Sequence, residues 1–133
     1  WVRGNRYLSF GDAEISIYSA EHGAMGNESS LCILFQSENC DILITGDKHI
    51  EAEQALLKSV RLPQLDVLIT GHHGAPNSTS MELLDATKPK AAVISVGAQN
   101  RYGHPSQTVL DRLEMFGCQI WRTDQHGTII FRG

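Results

Sequence analysis

The sequence predicts a mixed α/β fold built on a largely buried sheet. Short β-like and helix-like runs alternate, the strand candidates from Asp41 onward are almost wholly apolar, and Gly-, Asn- or Pro-containing turns punctuate the chain. Tyr7–Phe10 and Glu14–Tyr18 flank Gly11-Asp12, a two-residue hairpin signal. Ser19–Ser30 is polar and Gly-containing, hence a loop. Leu31–Gln36 and Asp41–Thr45 are strands joined by a second hairpin at Ser37-Glu38-Asn39. Lys48–Ser59 sets Ile50, Leu56 and Leu57 among Glu and Lys, the pattern of an amphipathic helix. Leu65–Thr70 is a buried strand, and Ser80–Thr87 is a short helix after an Asn-Ser-Thr-Ser capping stretch, ending before Lys88-Pro89. Ala91–Val96 is a further core strand. Ser106 is the expected N-cap of a helix through Phe116, with Gly117 as its stop. Gln119–Arg122 and Thr128–Arg132 are expected to close the sheet as a terminal hairpin across Asp124–Gly127.

Composition limits the function classes. The chain has 133 residues, 41% of them hydrophobic and 20% charged, which suits one domain or a large part of one. The longest apolar runs are about five residues, far short of the roughly 20 that span a bilayer. The first residues are no signal peptide, and a start at Trp1 rather than Met reads as a piece of a longer chain. The net charge is −4 and the Lys and Arg residues are scattered. Autonomous gripping of duplex DNA through its phosphates is therefore not expected. Three cysteines, Cys32, Cys40 and Cys118, lack CxxC spacing, so neither a zinc ribbon nor a disulfide framework is indicated. No GxSxG, P-loop or GxGxxG motif occurs.

Three features share one placement, just past the C-terminal end of a buried strand. They are Ile42-Leu43-Ile44-Thr45-Gly46-Asp47, Val67-Leu68-Ile69-Thr70-Gly71-His72-His73-Gly74, and Val93-Ile94-Ser95-Val96-Gly97 leading to Tyr102-Gly103-His104-Pro105. Ligand sites of α/β sheets favour that edge. Asp47 has two readings, as the N-cap of the following helix or as a metal-binding carboxylate that Gly46 lets the chain aim across the edge. Two adjacent histidines between glycines can divide their work, one imidazole holding a metal while its neighbour faces substrate. His104 reads either as a loop residue or as part of that site. His22 is a weaker candidate, and His49 and His126 read as solvated.

Taken together these residues resemble the second half of a metallo-β-lactamase-fold hydrolase. The likeness narrows with Lys88–Gly97, Asn100-Arg101-Tyr102-Gly103-His104-Pro105, Trp121–Gly127 and Asn27-Glu28-Ser29-Ser30-Leu31. That combination is similar to the soluble domain of ComEC/Rec2-type DNA-internalisation competence proteins and to the related choline-binding phosphodiesterases, over about Ile15 to Phe131.

The resemblance implies an αββα sandwich of which this chain is the C-terminal half, a mixed sheet with flanking helices. It implies Asp47 and His73 as ligands of divalent metal (zinc or manganese, two ions in the complete domain), His72 facing the scissile phosphate, and His104 at the rim of the site. The family's main metal motif, His-x-His-x-Asp-His, is absent from these residues. Metal binding and hydrolysis by the chain alone are therefore expected to be weak or absent. The partners so implied are the N-terminal half of the same domain, the membrane-channel part of the parent protein, DNA as substrate, and self-association through an exposed half-domain face. The site is then expected outside the cytoplasm. A non-catalytic structural or regulatory half-domain and a phosphorylcholine-esterase-like hydrolase remain the alternatives.

Overall fold

A computed structural model describes residues 4–19 and 25–131 of the chain. His22 lies outside these described residues. Two antiparallel hairpins come first: β1 (Arg6–Phe10) with β2 (Ala13–Tyr18), and β3 (Cys32–Gln36) with β4 (Asp41–Ile44). Helix α1 (Ile50–Ser59), β5 (Val67–Ile69), α2 (Met81–Thr87), β6 (Ala91–Ile94), α3 (Gln107–Met115), β7 (Gln119–Arg122) and a single turn, α4 (Thr123–His126), follow. The seven strands form one sheet in sequential order, antiparallel from β1 to β4 and parallel from β4 to β7.

The caps follow the sequence. Ser80 accepts the Leu83 N–H at 3.2 Å and Ser106 accepts the Val109 N–H at 3.3 Å, each satisfying one orphan donor of a helix start. Asp47 does not cap α1. That position belongs to His49, whose side chain makes no cap hydrogen bond.

Crossovers between parallel strands are right-handed as a rule, and with that rule a strand order that only advances sends every crossover helix to the same side. Leu56 of α1, Leu83 and Leu84 of α2, and Val109 and Leu113 of α3 share one core with Leu34, Leu43, Leu68 and Ala92 of the sheet. The opposite face is also apolar. A row in register, Ile17, Ile33, Ile44, Ile69, Val93 and Trp121, crosses six strands there, and Leu8, Ile15, Phe35 and Ile42 form a second row. The second row continues through Val67 and Ala91, which are buried, as is Val93 of the first; the other residues of both rows are half-buried or exposed.

Two expectations are corrected. Residues 128–131 are not a strand. The chain turns through α4 immediately after β7, so Ile130 and Phe131 stay exposed instead of pairing. The amphipathic reading of Lys48–Ser59 sets its Glu and Lys residues apart from the apolar ones, yet Glu53 is fully buried. Its carboxylate accepts the backbone N–H groups of Thr79 and Ser80, both at 2.7 Å, which fastens α1 to the start of α2.

Candidate active site

The three strand-end segments meet at one edge of the sheet. The His72 N–H donates to the Gly46 carbonyl at 2.9 Å, joining the turn after β4 to the turn after β5. Gly46 has φ +61°, and a Cβ there would sit 2.9 Å from the Leu31 carbonyl oxygen, so only glycine brings the chain round to Asp47. On the other side the Ser106 N–H donates to the Gly74 carbonyl at 2.9 Å. A Cβ on Gly74, at φ +79°, would lie 2.7 Å from Pro105 Cβ. That close approach brings the loop carrying His104 against the histidine pair.

His72 and His73 do not continue β5 as an extended strand, the geometry in which neighbouring side chains alternate. Both are left-handed, at φ/ψ 48°/43° and 56°/25°, within a tight 3₁₀-like turn. Consecutive left-handed residues other than glycine cost on the order of 1–3 kcal/mol each and persist where the surroundings enforce them. Here the loop that follows is held from three sides. Ser78 Oγ donates to the Gly71 carbonyl at 2.7 Å, Glu53 holds the amides of Thr79 and Ser80, and Arg112 Nη1 donates to the Ser78 carbonyl at 3.0 Å.

The turn still separates the two rings, with centroids 6.4 Å apart and planes 59° to each other. His72 lies at the centre of a histidine group. The His49 ring stacks on it at 5.4 Å and the His104 ring meets it edge-on at 5.8 Å. His73 turns away, and its Nδ1 lies 2.6 Å from the Ser95 carbonyl oxygen. A carbonyl only accepts, so Nδ1 is the protonated nitrogen and Nε2 keeps its lone pair. His104 is half-buried and its Nδ1 has no hydrogen-bond partner. Burial first, then the neighbouring His72 and His73, holds its pKa below the usual histidine value. A cleft of about 450 Å³ opens beside His73 and His104.

No protein-family model matches the chain. It is 37% identical over 133 residues to ComE operon protein 3 of Bacillus subtilis, an alignment covering 98% of this chain and 17% of that protein. It is 37% identical over 91 residues to Competence protein ComA of Neisseria gonorrhoeae, covering 68% of the chain and 13% of the relative. To Recombination protein 2 of Haemophilus influenzae it is 34% identical over 103 residues, covering 77% and 13%. The chain belongs to the ComEC/Rec2 family of competence proteins.

This ComEC/Rec2 segment thus spans less than a fifth of the length of these relatives. Among solved structures it is similar to the CmlA beta-hydroxylase E377D mutant, with a TM-score of 0.54 and 14% identity, over 90% of this chain and 31% of that one. The likeness shows the fold, the metallo-β-lactamase-like α/β arrangement.

Of the residues the sequence singled out, the structure brings His72, His73 and His104 together and sets the Gly46-Asp47 turn against them. His126 lies apart, its ring against Trp121. His49 was misread as solvated, because the helix was expected to start one residue before it. As the N-cap residue it instead faces the edge and stacks on His72. The cysteines take no part: Cys32 and Cys118 are buried, and burial pushes the Cys32 thiol up to about 12, out of the range of a nucleophile. Among the described residues, no three His, Cys, Asp or Glu side chains form a metal-binding group, and no helix is long and apolar enough to cross a membrane.

Proposed function

We propose that this segment supplies one edge of a metal-dependent phosphodiester-hydrolysing site in a protein of DNA uptake. The observation that carries this is the gathering of His72, His73 and His104 at the carboxyl edge of the parallel strands, with the His72 N–H on the Gly46 carbonyl beside Asp47, held there by a strained, heavily anchored loop. Membership of the competence family supports DNA as the substrate.

His73 suits the role of metal ligand. Its Nδ1–H is occupied by the Ser95 carbonyl, the arrangement that orients a ligating imidazole and frees Nε2 for a cation. Asp47 is free of the capping duty that was its competing role, and a carboxylate suits a hard divalent ion. Two donors do not make a tight site. The residues present fit part of a ligand set, and the remaining ligands come from elsewhere in the longer polypeptide. When bound, a divalent cation supplies charge stabilisation at the phosphoryl oxygen and activation of water. His72, set between His49 and His104, faces the substrate and donates to the phosphoryl group. His104, kept neutral by its surroundings, is poised to exchange a proton with the reacting oxygens.

The half-buried apolar sheet face supports the same view. It is the surface on which a second half of the domain would pack, and that half is the natural source of the missing ligands. The membrane-channel part of the parent protein then adjoins the completed domain.

The test is made on the full-length protein. His73→Ala and Asp47→Ala are expected to lower bound metal, measured by elemental analysis, with partial rescue of turnover by excess metal. His72→Ala is expected to keep its metal and lose roughly 10²–10³-fold in turnover, the effect of removing one transition-state donor. Metal lost in His72→Ala but retained in His73→Ala reverses the assignment. Turnover unaffected by Asp47→Ala removes the carboxylate from the site.

A further inference from the structure

The geometry points to the cleft beside His73 and His104 as a base-stacking subsite for single-stranded DNA, with Tyr102 as its platform. This rests on the phosphodiester reading above and names the part of the substrate that the histidines do not handle.

Tyr102 lines the cleft and is 84% exposed, so one face of its ring is open to an incoming group. The other side is backed by His104, whose ring lies nearly parallel, 18° between planes and 6.0 Å between centroids. The platform is therefore continuous with the histidine group, and a base resting on it is adjacent to a phosphate at His72.

The loop is also pre-set. Asn100 Nδ2 donates to the Gly97 carbonyl at 3.1 Å and to the His104 carbonyl at 2.7 Å, while its Oδ1 accepts the His104 N–H at 3.0 Å. One side chain thus fastens both ends of the loop that carries Tyr102. An aromatic held on a fixed base costs less entropy to engage than one on a free loop.

The lining selects what enters. A volume of about 450 Å³ lies in the range of small-molecule sites and accommodates a nucleoside. Among the described residues no Lys or Arg lines it, so those residues do not select phosphate. The cleft's two groups best placed to read a base edge are occupied by backbone, the Asn100 amide as described and Thr123 Oγ1 by the Val96 N–H and carbonyl, both at 2.8 Å. What the cleft offers is a π surface, which every base can use, so binding is expected to tolerate any sequence. Bases paired inside a duplex cannot present a face.

The experiment measures affinity of the full-length protein, in chelator to prevent cleavage, for a fluorescent hexathymidylate and for an abasic deoxyribose-phosphate chain of equal length. The wild-type protein is expected to prefer the base-bearing chain by roughly tenfold. Tyr102→Ala is expected to bring that ratio close to one, and Tyr102→Phe to preserve it, since the ring and not the hydroxyl does the stacking. A wild-type ratio near one, or a ratio unchanged in Tyr102→Ala, overturns the proposal. Cleavage of the hexathymidylate by wild-type protein with added Mn²⁺ is scored separately, and its absence counts against phosphodiester hydrolysis while leaving the binding ratio interpretable.

Discussion

Glu53→Ala removes the buried carboxylate that closes the corner between α1 and the start of α2. The carboxylate is fully buried and accepts two backbone N–H groups at 2.7 Å. Hydrogen bonds to a charged acceptor contribute about 1.5–3 kcal/mol each. Burial of the charge opposes them by several kcal/mol, and it pushes the Glu53 carboxyl above its ordinary range, against the pull of the Ser80 and Thr79 donors and of Arg112. Intact, the arrangement is therefore near balance. Truncation is not, because it strands two buried N–H groups at about 1–3 kcal/mol each. The net loss expected for Glu53→Ala is about 3 kcal/mol. Glu53→Gln keeps one acceptor and the side-chain volume, so its loss is expected to be about 1–2 kcal/mol. A urea titration gives the global cost, and amide exchange at residues 79 and 80 gives the local one. Wild-type urea midpoints together with wild-type protection at both amides would refute the assignment of Glu53 as the clamp.

Gly74→Ala forces a left-handed alanine against Pro105 and should cost at least about 2 kcal/mol; a wild-type urea midpoint contradicts this. Asp66 accepts from Lys90 at 2.7 Å and from the Asp41 N–H at 2.8 Å, and the Lys90 hydrogen bond, followed by the Asp41 one, holds its pKa below the ordinary value. A depressed carboxyl pKa gives stability that is present above the unfolded value and lost as pH falls through the folded one. The pair is largely exposed, so the advantage of wild type over Asp66→Asn should be no more than about 1 kcal/mol at neutral pH and fade below about pH 4; an advantage that grows in acid reverses the sign.

Much of the edge was legible because its cause is local. Apolar runs fix β4, β5 and β6, and the motifs after them fix which residues reach the strand ends. The caps at Ser80 and Ser106 follow from the residue type alone. What was not legible depends on partners distant in sequence. Glu53 reads as a solvated helix charge because its two donors lie 26 and 27 residues downstream. The left-handed pair at His72 and His73 is set by Glu53, Ser78 and Arg112, and nothing in a Gly-His-His-Gly string announces it. Residues 128–131 have the apolar content of a strand, but a strand needs an edge to pair with, and the turn at α4 carries them away from β7.

The sheet carries the last consequence. Parallel strands are buried on both faces as a rule, and here α1, α2 and α3 pack into one core with a single face of the sequentially ordered sheet. The row from Ile17 to Trp121 is then left mostly half-buried, in a sequence whose strands carry isoleucine and valine on that side as readily as on the covered one. Ile44 occupies the middle of the row, in register with Ile33 and Ile69, and is 38% exposed. Ile44→Lys separates two states of this surface. If a second layer packs on it in the full-length protein, the substitution buries an ammonium without a partner and costs several kcal/mol. If the face stays open, a lysine at a partly exposed strand position changes stability by about 1 kcal/mol or less. The expected outcome is a large drop in the urea midpoint of the full-length protein, with improved monomer content on sizing when the same change is made in the 133-residue chain alone. An unchanged midpoint in the full-length protein removes the case for a covering layer, and with it the source proposed for the missing metal ligands.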